Sequence, residues 1–307
     1  MDESYAIKRY EQAAGLLPLR WQRLALQLSD DRKREAEELR LRAGQPMTVL
    51  LPQGEMTVEE TVPRAVVTAA DLEQLCDIVT GYSRYAAAET LRMGYLQAVG
   101  GFRVGLCGTA VMQDGNIANL RDFSSAVIRI GRQRIGLAND IVPQLLEEGH
   151  FPSTLIYSPP GAGKTTLLRD MVRLLSDGGD EIPAFRVALA DERGEIAVMH
   201  EGQPQMAVGR HTDVLDGCPK AQAVMMLLRA ANPQIIAVDE ITQSQDIQAM
   251  IHAANCGTSV LATIHAGSRE ELLRKSLFAQ IREAGVFSRY VAISGDGNRR
   301  HYEAGSL

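Results

Sequence analysis

Nine consecutive residues have the types and order of a phosphate-binding loop: Ser158, Pro159, Pro160, Gly161, Ala162, Gly163, Lys164, Thr165 and Thr166. The two glycines let the backbone wrap around an anion, and the helix predicted from Thr165 presents unpaired N–H groups and its positive dipole end. Lys164 should contact the β- and γ-phosphates, and the Thr165 hydroxyl should ligate Mg²⁺. The segment therefore predicts a binding site for a nucleoside triphosphate.

The loop departs from the usual pattern at its first position, where Ser158 replaces a glycine. Serine can still form the turn, and Pro159 and Pro160 stiffen it, so we expect the change to be tolerated. A chance glycine-rich turn is the alternative interpretation. The order of an apolar strand at 155–157, the loop and then an amphipathic helix favours the phosphate-binding loop.

A second apolar segment, 235–241, ends in Asp239 and Glu240. Open parallel sheets bind their ligands at the carboxyl ends of the strands, which is where these acids are expected. Asp239 should bind Mg²⁺ directly or through water, and Glu240 can polarise the water that attacks the γ-phosphate. An Asp-Glu pair after apolar residues is common, but its position about 75 residues after the loop makes it more specific.

Two further apolar segments end in residues that can do chemistry. Segment 186–196 carries Asp191 and Glu192 followed by Arg193, and a solvated charged turn is the alternative there. Segment 260–268 ends in Thr263 and His265. A histidine at the end of a buried strand can report the γ-phosphate to the next element, or it can be purely structural.

The segments around these residues alternate between strand and helix patterns. Strands are predicted at 153–158, 185–191, 234–239, 258–264 and 289–294, and helices at 139–148, 165–176, 219–231, 244–255 and 268–284. Such alternation predicts a mostly parallel sheet covered by helices. We therefore expect residues 136–307 to form an α/β domain.

Residues 1–135 have a different pattern, which predicts a smaller α+β domain. Short alternating segments between residues 38 and 62 indicate an antiparallel sheet, and a helix should begin after Thr68 with Asp71 in its first turn. Segments 96–112 and 124–131 alternate again and predict a hairpin. The polar stretch between them, which contains Asp114 and Gly115, is expected to be a long connection.

Composition places the chain among ordinary globular proteins, because 45% of its 307 residues are hydrophobic and 23% are charged. The sequence lacks a run of about 20 uncharged apolar residues and has a charged N-terminus, so we expect a soluble, cytoplasmic protein. The four cysteines have no zinc-ligand spacing. Residues 1–135 carry 17 Lys and Arg against 17 Asp and Glu, which argues against a surface for duplex nucleic acid.

Four segments in this order, SPPGAGKTT, LADERGEIA, LLRAANPQIIAVDEI and LATIHAGS, resemble the hexameric ATPases of type II and type IV secretion and the pilus motors. The resemblance covers nearly the whole chain, since LRLRAGQP resembles the start of the family's N-terminal domain, and GGFRVGLC and SSAVIRIG its arginine-bearing hairpin. The DERGEI and HAGS variants resemble a sporulation subgroup more than the pilus motors. The resemblance implies a RecA-like P-loop ATPase domain, ATP and Mg²⁺ as ligands, and a homo-hexamer.

The resemblance also implies roles for individual residues. Glu192 falls in the acidic box that assists water activation, Glu240 is the second acid, and His265 is the histidine-box residue. Secretion motors usually have glycine where this chain has Asp239, so metal ligation here resembles an ordinary second phosphate-site motif. The division of labour between Glu192 and Glu240 therefore stays open.

Family members bring arginines of the N-terminal domain near the phosphates of a nucleotide held by the other domain. The resemblance implies this role for Arg103 and Arg129 on the predicted hairpin, with Arg121 behind them. Arg229 matches the arginine of the family's L-R-x-x-P segment. Solvated strand arginines are the alternative for each hairpin position.

The function implied by the resemblance is an ATP-hydrolysing motor that energises a sporulation transenvelope channel. Its partner would be a membrane protein, stage III sporulation protein AB, which would hold the motor on the inner face of the membrane. Two other functions remain open. The first is a nucleic-acid remodelling ATPase, which is disfavoured by the neutral charge of residues 1–135 and by an aromatic content of 5%. The second is a nucleotide-gated scaffold that binds ATP with little turnover.

Overall fold

The computed structural model describes residues 3–58, 65–81, 94–131, 133–295 and 300–307. The chain divides into two compact units, Met1–Gln133 and Arg134–Leu307. The last part of the predicted strand segment that ends at residue 62 lies outside the described residues. None of the helices in the described ranges combines the length and hydropathy needed to span a bilayer.

The first unit is a small α+β domain built on an antiparallel sheet. Its described elements are α1 Glu3–Ala14, α2 Leu19–Leu26, α3 Asp30–Glu35, β1 Glu38–Arg42, β2 Thr48–Leu51, β3 Gly54–Thr57, α4 Ala69–Val79, β4 Tyr95–Ala98, β5 Phe102–Gln113 and β6 Asn116–Arg129. The six strands lie in the order β3-β2-β1-β6-β5-β4. Alternate residues such as Leu39 and Leu41 of β1 are buried, and Trp21 of α2 belongs to the same core. As predicted, Thr68 and Asp71 form a capping box that starts α4.

The hairpin of β5 and β6 is longer than the sequence pattern indicated. Asp114 and Gly115 form a two-residue turn with φ of 52° and 77°, so the prediction of a long connection was wrong. Positive φ at both turn residues matches the right-handed twist of the flanking strands. The outer parts of both strands are largely exposed, and their polar residues concealed the strand pattern.

The second unit has the predicted α/β fold. Its described elements are α5 Val142–Leu145, β7 Thr154–Ser158, α6 Lys164–Asp177, β8 Val187–Asp191, β9 Met199–His200, β10 Gln203–Pro204, β11 Thr212–Asp216, α7 Lys220–Ala230, β12 Ile235–Glu240, α8 Ser244–Asn255, β13 Ser259–His265, α9 Arg269–Arg274, α10 Ser276–Ala284, β14 Arg289–Ser294 and β15 His301–Ser306. The seven-stranded sheet has the order β11-β8-β12-β13-β7-β14-β15. Its strands are parallel except β15, which pairs antiparallel with β14 at one edge.

Two helix predictions in this unit were wrong in extent. The helix expected at 139–148 is a single turn, Val142–Leu145, because Leu146 takes an extended conformation and the chain then folds back through a turn at 147–150. The helix expected at 268–284 is interrupted at Lys275, whose backbone is also extended. The strands β9, β10, β11 and β15 were not predicted.

Helices cover both faces of the parallel sheet. The apolar side of α6 packs on one face, and α7, α8 and α10 pack on the other. Every residue of β7 and β8 is buried, as expected for strands covered on both faces. Because β7, β8, β12 and β13 run parallel, their carboxyl ends lie along the same edge of the sheet.

Candidate nucleotide-binding site

The predicted phosphate-binding loop lies between β7 and α6. Gly161 and Gly163 have φ of 73° and 100°, a region that glycine adopts without the steric cost a Cβ imposes. The 14-residue helix α6 begins at Lys164, so its first N–H groups face the loop. Thr165 and Thr166 lie half-buried in its first turn. The loop thus has the backbone form of an anion nest at a helix N-terminus.

Ser158 replaces the usual first glycine without strain. It is the last residue of β7 and pairs with His265 of β13, so its backbone is that of a strand. Its side chain is buried, and the hydroxyl donates to the carbonyl oxygen of Pro159 at 2.9 Å. Since this position does not require a positive φ, serine is acceptable there.

Lys164 connects the loop to the neighbouring strands. Its Nζ donates to the carbonyl oxygens of Ser158 at 3.3 Å and Pro159 at 3.4 Å, and it lies 2.6 Å from Nδ1 of His265. Burial lowers the pKa of Lys164, while the nearby charges of Glu240 and Asp239 act in the opposite direction. The lysine of the loop and the acids of β12 are therefore close enough to interact electrostatically.

His265 bridges Lys164 and Glu240. Its Nε2 lies 3.0 Å from Oε2 of Glu240, on the side of the ring opposite the lysine. A neutral imidazole that accepts at Nδ1 and donates from Nε2 satisfies both neighbours. The three side chains form a hydrogen-bonded series along the carboxyl edge of the sheet.

Asp239 lies at an irregularity in β12. Val238 pairs with Ala262 and Glu240 pairs with Thr263, so the ladder between β12 and β13 skips Asp239. Bulges of this kind redirect side chains next to active sites. Burial, followed by the charges of Asp191 and Glu195, raises the pKa of Asp239 to about 6.

The acidic segment after β8 is held in place from two directions. The buried Asp191 carboxylate accepts N–H bonds from Glu195 at 3.0 Å, Ile196 at 3.0 Å and Ala197 at 2.9 Å. Burial raises the pKa of Asp191, and these three bonds oppose that effect. Arg169 of α6 donates to the carbonyl oxygens of Ile196 and Glu195, both at 2.6 Å. The helix that follows the phosphate loop thus fixes the acidic segment.

Glu192 and Glu195 occupy different environments within this segment. Glu192 forms an ion pair with the buried Lys220 at the start of α7. Glu195 is exposed, and its charge is among those that raise the pKa of Asp239. Sequence reasoning singled out Glu192 and did not consider Glu195, whose backbone N–H donates to the Asp191 carboxylate.

The two predicted hairpin arginines are direct neighbours in the first unit. Arg103 of β5 and Arg129 of β6 are cross-strand partners. The guanidinium of Arg103 lies 3.9 Å from the ring centre of Tyr95, and Nε of Arg129 lies 3.6 Å from Oε1 of Glu38. Like charges directly opposite each other destabilise a sheet, so this pairing has a cost in the isolated unit.

Arg121 and Arg229 are both exposed. Arg121 lies in the outer part of β6, with Nε 3.6 Å from Asp122, and both side chains are largely exposed. Arg229 lies in the last turn of α7. Within the described part of the second unit, Arg229 has no contact with the phosphate loop or with the acids at the edge of the sheet.

No group of three or more His, Cys, Asp or Glu side chains in the described part of the chain is arranged to hold a metal ion. Mg²⁺ commonly uses one or two protein ligands together with substrate phosphates and water, so it does not need such a group. Thr165 in the first turn of α6 and Asp239 near the end of β12 carry oxygen donors of that chemistry. The donor set fits a magnesium ion bound jointly with a nucleotide.

A family model described as Sporulation stage III, protein AA matches residues 7–302. The chain belongs to this family. Stage III sporulation protein AA of Bacillus subtilis (strain 168) is 35% identical over 281 residues, covering 92% of this chain and 90% of that protein. The uncharacterized protein ycf45 of Porphyra purpurea is 30% identical over 191 residues, covering 60% of this chain and 32% of that protein.

Solved structures of secretion ATPases share the fold of this family member. The ATPase DotB of Legionella pneumophila matches with a TM-score of 0.58 and 15% identity, covering 100% of this chain and 81% of that chain. The pilus retraction motor PilT, solved with bound ADP, matches with a TM-score of 0.58 and 16% identity, covering 88% and 79%. The family resemblance inferred from the motifs is confirmed, and so is the fold class.

Proposed function

We propose that the chain is a Mg²⁺-dependent ATPase that acts as a secretion-type motor and energises a sporulation transenvelope channel through a membrane partner. The observation that carries the proposal is the hydrogen-bonded series from Lys164 through His265 to Glu240. It brings the phosphate-binding lysine and a candidate general base to the same edge of the sheet. A phosphate held by the loop would therefore lie near the acid needed for its hydrolysis.

The loop fits the phosphates of ATP. Gly161 and Gly163 allow close approach of the backbone, the start of α6 supplies N–H donors, and Lys164 supplies a positive charge. The same fold holds ADP in the pilus retraction motor. Thr165 and Asp239 would hold Mg²⁺, which when bound would neutralise charge on the β- and γ-phosphates.

The positions of these side chains support the following reaction. The carboxylate of Glu240 accepts a proton from water as the water oxygen bonds to the γ-phosphorus. The bond from that phosphorus to the β,γ-bridging oxygen breaks, giving ADP and phosphate. Lys164 stabilises the developing negative charge, and the Nε2–H of His265 orients the Glu240 carboxylate.

The family likeness supports the quaternary part of the proposal. Six copies would form a ring in which Arg103 and Arg129 of one subunit approach the nucleotide of its neighbour. Stage III sporulation protein AB would hold the ring on the inner, cytoplasmic face of the membrane. Both units would then move with the nucleotide cycle and pass that motion to the membrane partner.

The decisive experiment measures ATP turnover of the purified protein beside Lys164→Ala and Glu240→Gln, with mass determined by light scattering in the same buffers. We expect Lys164→Ala to lose nucleotide binding and turnover, and Glu240→Gln to bind nucleotide but lose turnover. Lys8→Ala and Glu283→Gln are matched controls, because both native side chains are exposed. They should behave like the unsubstituted protein.

Two results separate the proposal from its alternatives. A monomer whose weak activity survives both site substitutions would contradict the motor, and binding without turnover would indicate a nucleotide-gated scaffold. The partner is tested by adding stage III sporulation protein AB in liposomes, which should increase turnover of the unsubstituted protein and leave Glu240→Gln inactive. Unchanged turnover, together with no binding to those liposomes, would exclude this partner.

A further inference from the structure

The end of the chain returns to the phosphate-binding loop. Strand β14 runs parallel to β7, and β15 returns antiparallel to it, so the pair Ser294 and His301 lies near the carboxyl edge of the sheet. Arg300 directly precedes β15 and is half-buried. From sequence, the adjacent pair Arg299 and Arg300 is typical of a solvated surface. The structure places Arg300 beside the phosphate-binding loop.

Arg300 contacts the loop at Gly163. A Cβ placed on Gly163 would lie 2.6 Å from Nη1 of Arg300 and 3.0 Å from its Cζ. The guanidinium therefore occupies the space that a side chain at 163 would need. Gly163 is required here for its φ of 100°, and the absence of a Cβ leaves room for this close approach.

The position of Arg300 is electrostatically unfavourable without an anion. It lies beside the positive end of the α6 dipole and against Gly163, the residue that precedes Lys164. In the described part of the chain, no carboxylate forms an ion pair with Arg300. An anion in the loop would convert this repulsion into attraction, so the arrangement favours a bound phosphate.

The strand order indicates on which side of the loop Arg300 lies. Strand β7 lies between β13, which carries His265, and β14, which pairs with β15. The candidate catalytic groups, His265 and Glu240, therefore approach the loop from one side, and Arg300 approaches it from the other. A group on the side opposite His265 and Glu240 is suited to bind the part of the nucleotide that remains as ADP.

We propose that Arg300 binds the α- and β-phosphates of the nucleotide held by its own chain, an inference that rests on the proposed function. The planar guanidinium can donate two parallel hydrogen bonds to phosphate oxygens. Arg300 is thus a binding residue that sets nucleotide affinity, whereas Arg103 and Arg129 are proposed to act on the transferring group from a neighbouring subunit.

The test is a fluorescence titration of the full chain with mant-ADP and with the non-hydrolysable mant-AMP-PNP. Arg300→Gln should raise the Kd for both probes by a similar factor, about tenfold to a hundredfold. Turnover at saturating ATP should fall by a smaller factor than Kd rises, because the γ-phosphate contacts remain. Arg300→Lys keeps the positive charge but loses the planar guanidinium that can donate two parallel hydrogen bonds. It should have an intermediate effect on Kd.

Arg210→Gln is the matched control for charge. Arg210 contacts Asp177 at the last residue of α6, which lies about 20 Å from its first residue at the helical rise. Its loss should leave both Kd values unchanged. Thermal unfolding of each variant verifies that it folds. If Arg300→Gln does not fold, an unchanged nucleotide affinity of Arg300→Lys overturns the proposal.

The outcomes distinguish this inference from the proposed function. Binding by the unsubstituted protein, Arg210→Gln and Arg300→Gln with equal Kd would overturn the role of Arg300 and leave the ATPase proposal standing. Lower turnover with unchanged Kd would place Arg300 at the γ-phosphate and contradict the assignment. If the unsubstituted protein does not bind either probe, the proposed function fails, and this inference fails with it.

Discussion

Nζ of Lys164 lies 2.6 Å from Nδ1 of His265, and the opposite nitrogen of that ring lies 3.0 Å from Glu240. The lysine is the group expected to bind phosphate, so phosphate and His265 compete for the same ammonium. Nucleotide binding would therefore release Nδ1 of His265 and change the hydrogen bonding of the ring that orients Glu240. This geometry couples the presence of phosphate to the position of the candidate base.

Removal of His265 should affect affinity and turnover in opposite directions. In His265→Ala, Lys164 no longer has to break this hydrogen bond, so nucleotide affinity should rise about twofold to tenfold. Turnover should fall about tenfold to a hundredfold, because Glu240 loses the group that orients it. Titration with mant-ADP and steady-state ATP turnover measure the two effects.

The control for this prediction is His252→Ala, which removes an exposed histidine in the last turn of α8. It should change neither quantity. A parallel loss of affinity and turnover in His265→Ala would show that His265 binds nucleotide directly and does not compete with it.

The acidic segment after β8 should separate into a structural glutamate and one whose charge acts on Asp239. Glu195→Gln should move the acidic limb of the pH–turnover profile to lower pH, because it removes a charge that raises the pKa of Asp239. Glu192→Gln should lower stability by about 1 to 2 kcal/mol, because it leaves the Lys220 cation buried without its partner. Turnover as a function of pH and thermal unfolding of both variants check this. A shifted profile in Glu192→Gln alone would reverse the assignment.

Arg169 should control the order of the same segment. Its two hydrogen bonds to the carbonyls of Glu195 and Ile196 are lost in Arg169→Met, which keeps much of the side-chain volume. We expect a loss of about 2 to 4 kcal/mol in stability and faster hydrogen exchange at the amides of Ile196 and Ala197. Exchange in the interior of β12 serves as the internal reference. Unchanged exchange at both amides would contradict this role.

The sequence was sufficient to group the candidate site residues, because each lies at the carboxyl end of a buried strand or in the loop and helix that follow one. Lys164, Glu240 and His265 all follow apolar runs, and parallel strands place such ends on one edge. The strand alternation likewise predicted the α/β fold. Local signals fail where a contact depends on distant elements, and the pairing of Glu192 with Lys220 is such a contact.

The elements that the sequence did not predict also depend on contacts between distant parts of the chain. Strand β15 is polar and pairs only at the edge of the sheet, so its residues carry no buried strand pattern. Consequently, sequence reasoning had no means of placing Arg300 beside Gly163. The break at Lys275 was also hidden, because the apolar spacing continues through α9 and α10.

Asp239 should make stability depend on pH. Its pKa is about 6 in the folded protein, against the usual 3.8, because burial and the acids Asp191 and Glu195 disfavour its charge. Between these values the unfolded chain binds fewer protons than the folded one, so this group lowers stability as pH rises from about 4 to 6. Asp239→Asn does not titrate, and without nucleotide or Mg²⁺ it should be more stable by about 2 to 3 kcal/mol above pH 6.

The advantage of Asp239→Asn should shrink towards zero below about pH 4, where the carboxyl is protonated in both states. Thermal unfolding from pH 4 to 8 measures this trend. Asp213→Asn is the control, because Asp213 is exposed on the edge strand β11. A difference that does not vary with pH would show that Asp239 is ionised throughout and that the mutation acts by packing.

Arg103 and Arg129 should act on a nucleotide held by another subunit. They are cross-strand partners on β5 and β6, so their side chains lie on the same face of the hairpin. We expect Arg103→Gln to lower turnover by about a hundredfold or more while nucleotide affinity changes little, because an arginine that stabilises the transferring group acts in the transition state. Arg23→Gln, which removes an exposed arginine of α2, is the control.

Mixing inactive variants shows whether the arginine acts between subunits. Arg103→Gln keeps an intact phosphate loop, and Lys164→Ala keeps an intact Arg103, so a mixed ring contains complete sites only if the two groups come from different chains. Turnover that rises when the two inactive proteins are mixed, above the sum of the separate rates, supports action in trans. If the mixture stays inactive although light scattering shows mixed rings, Arg103 acts on the nucleotide of its own chain. Equal losses of turnover and affinity in Arg103→Gln alone would instead show a binding role in the ground state.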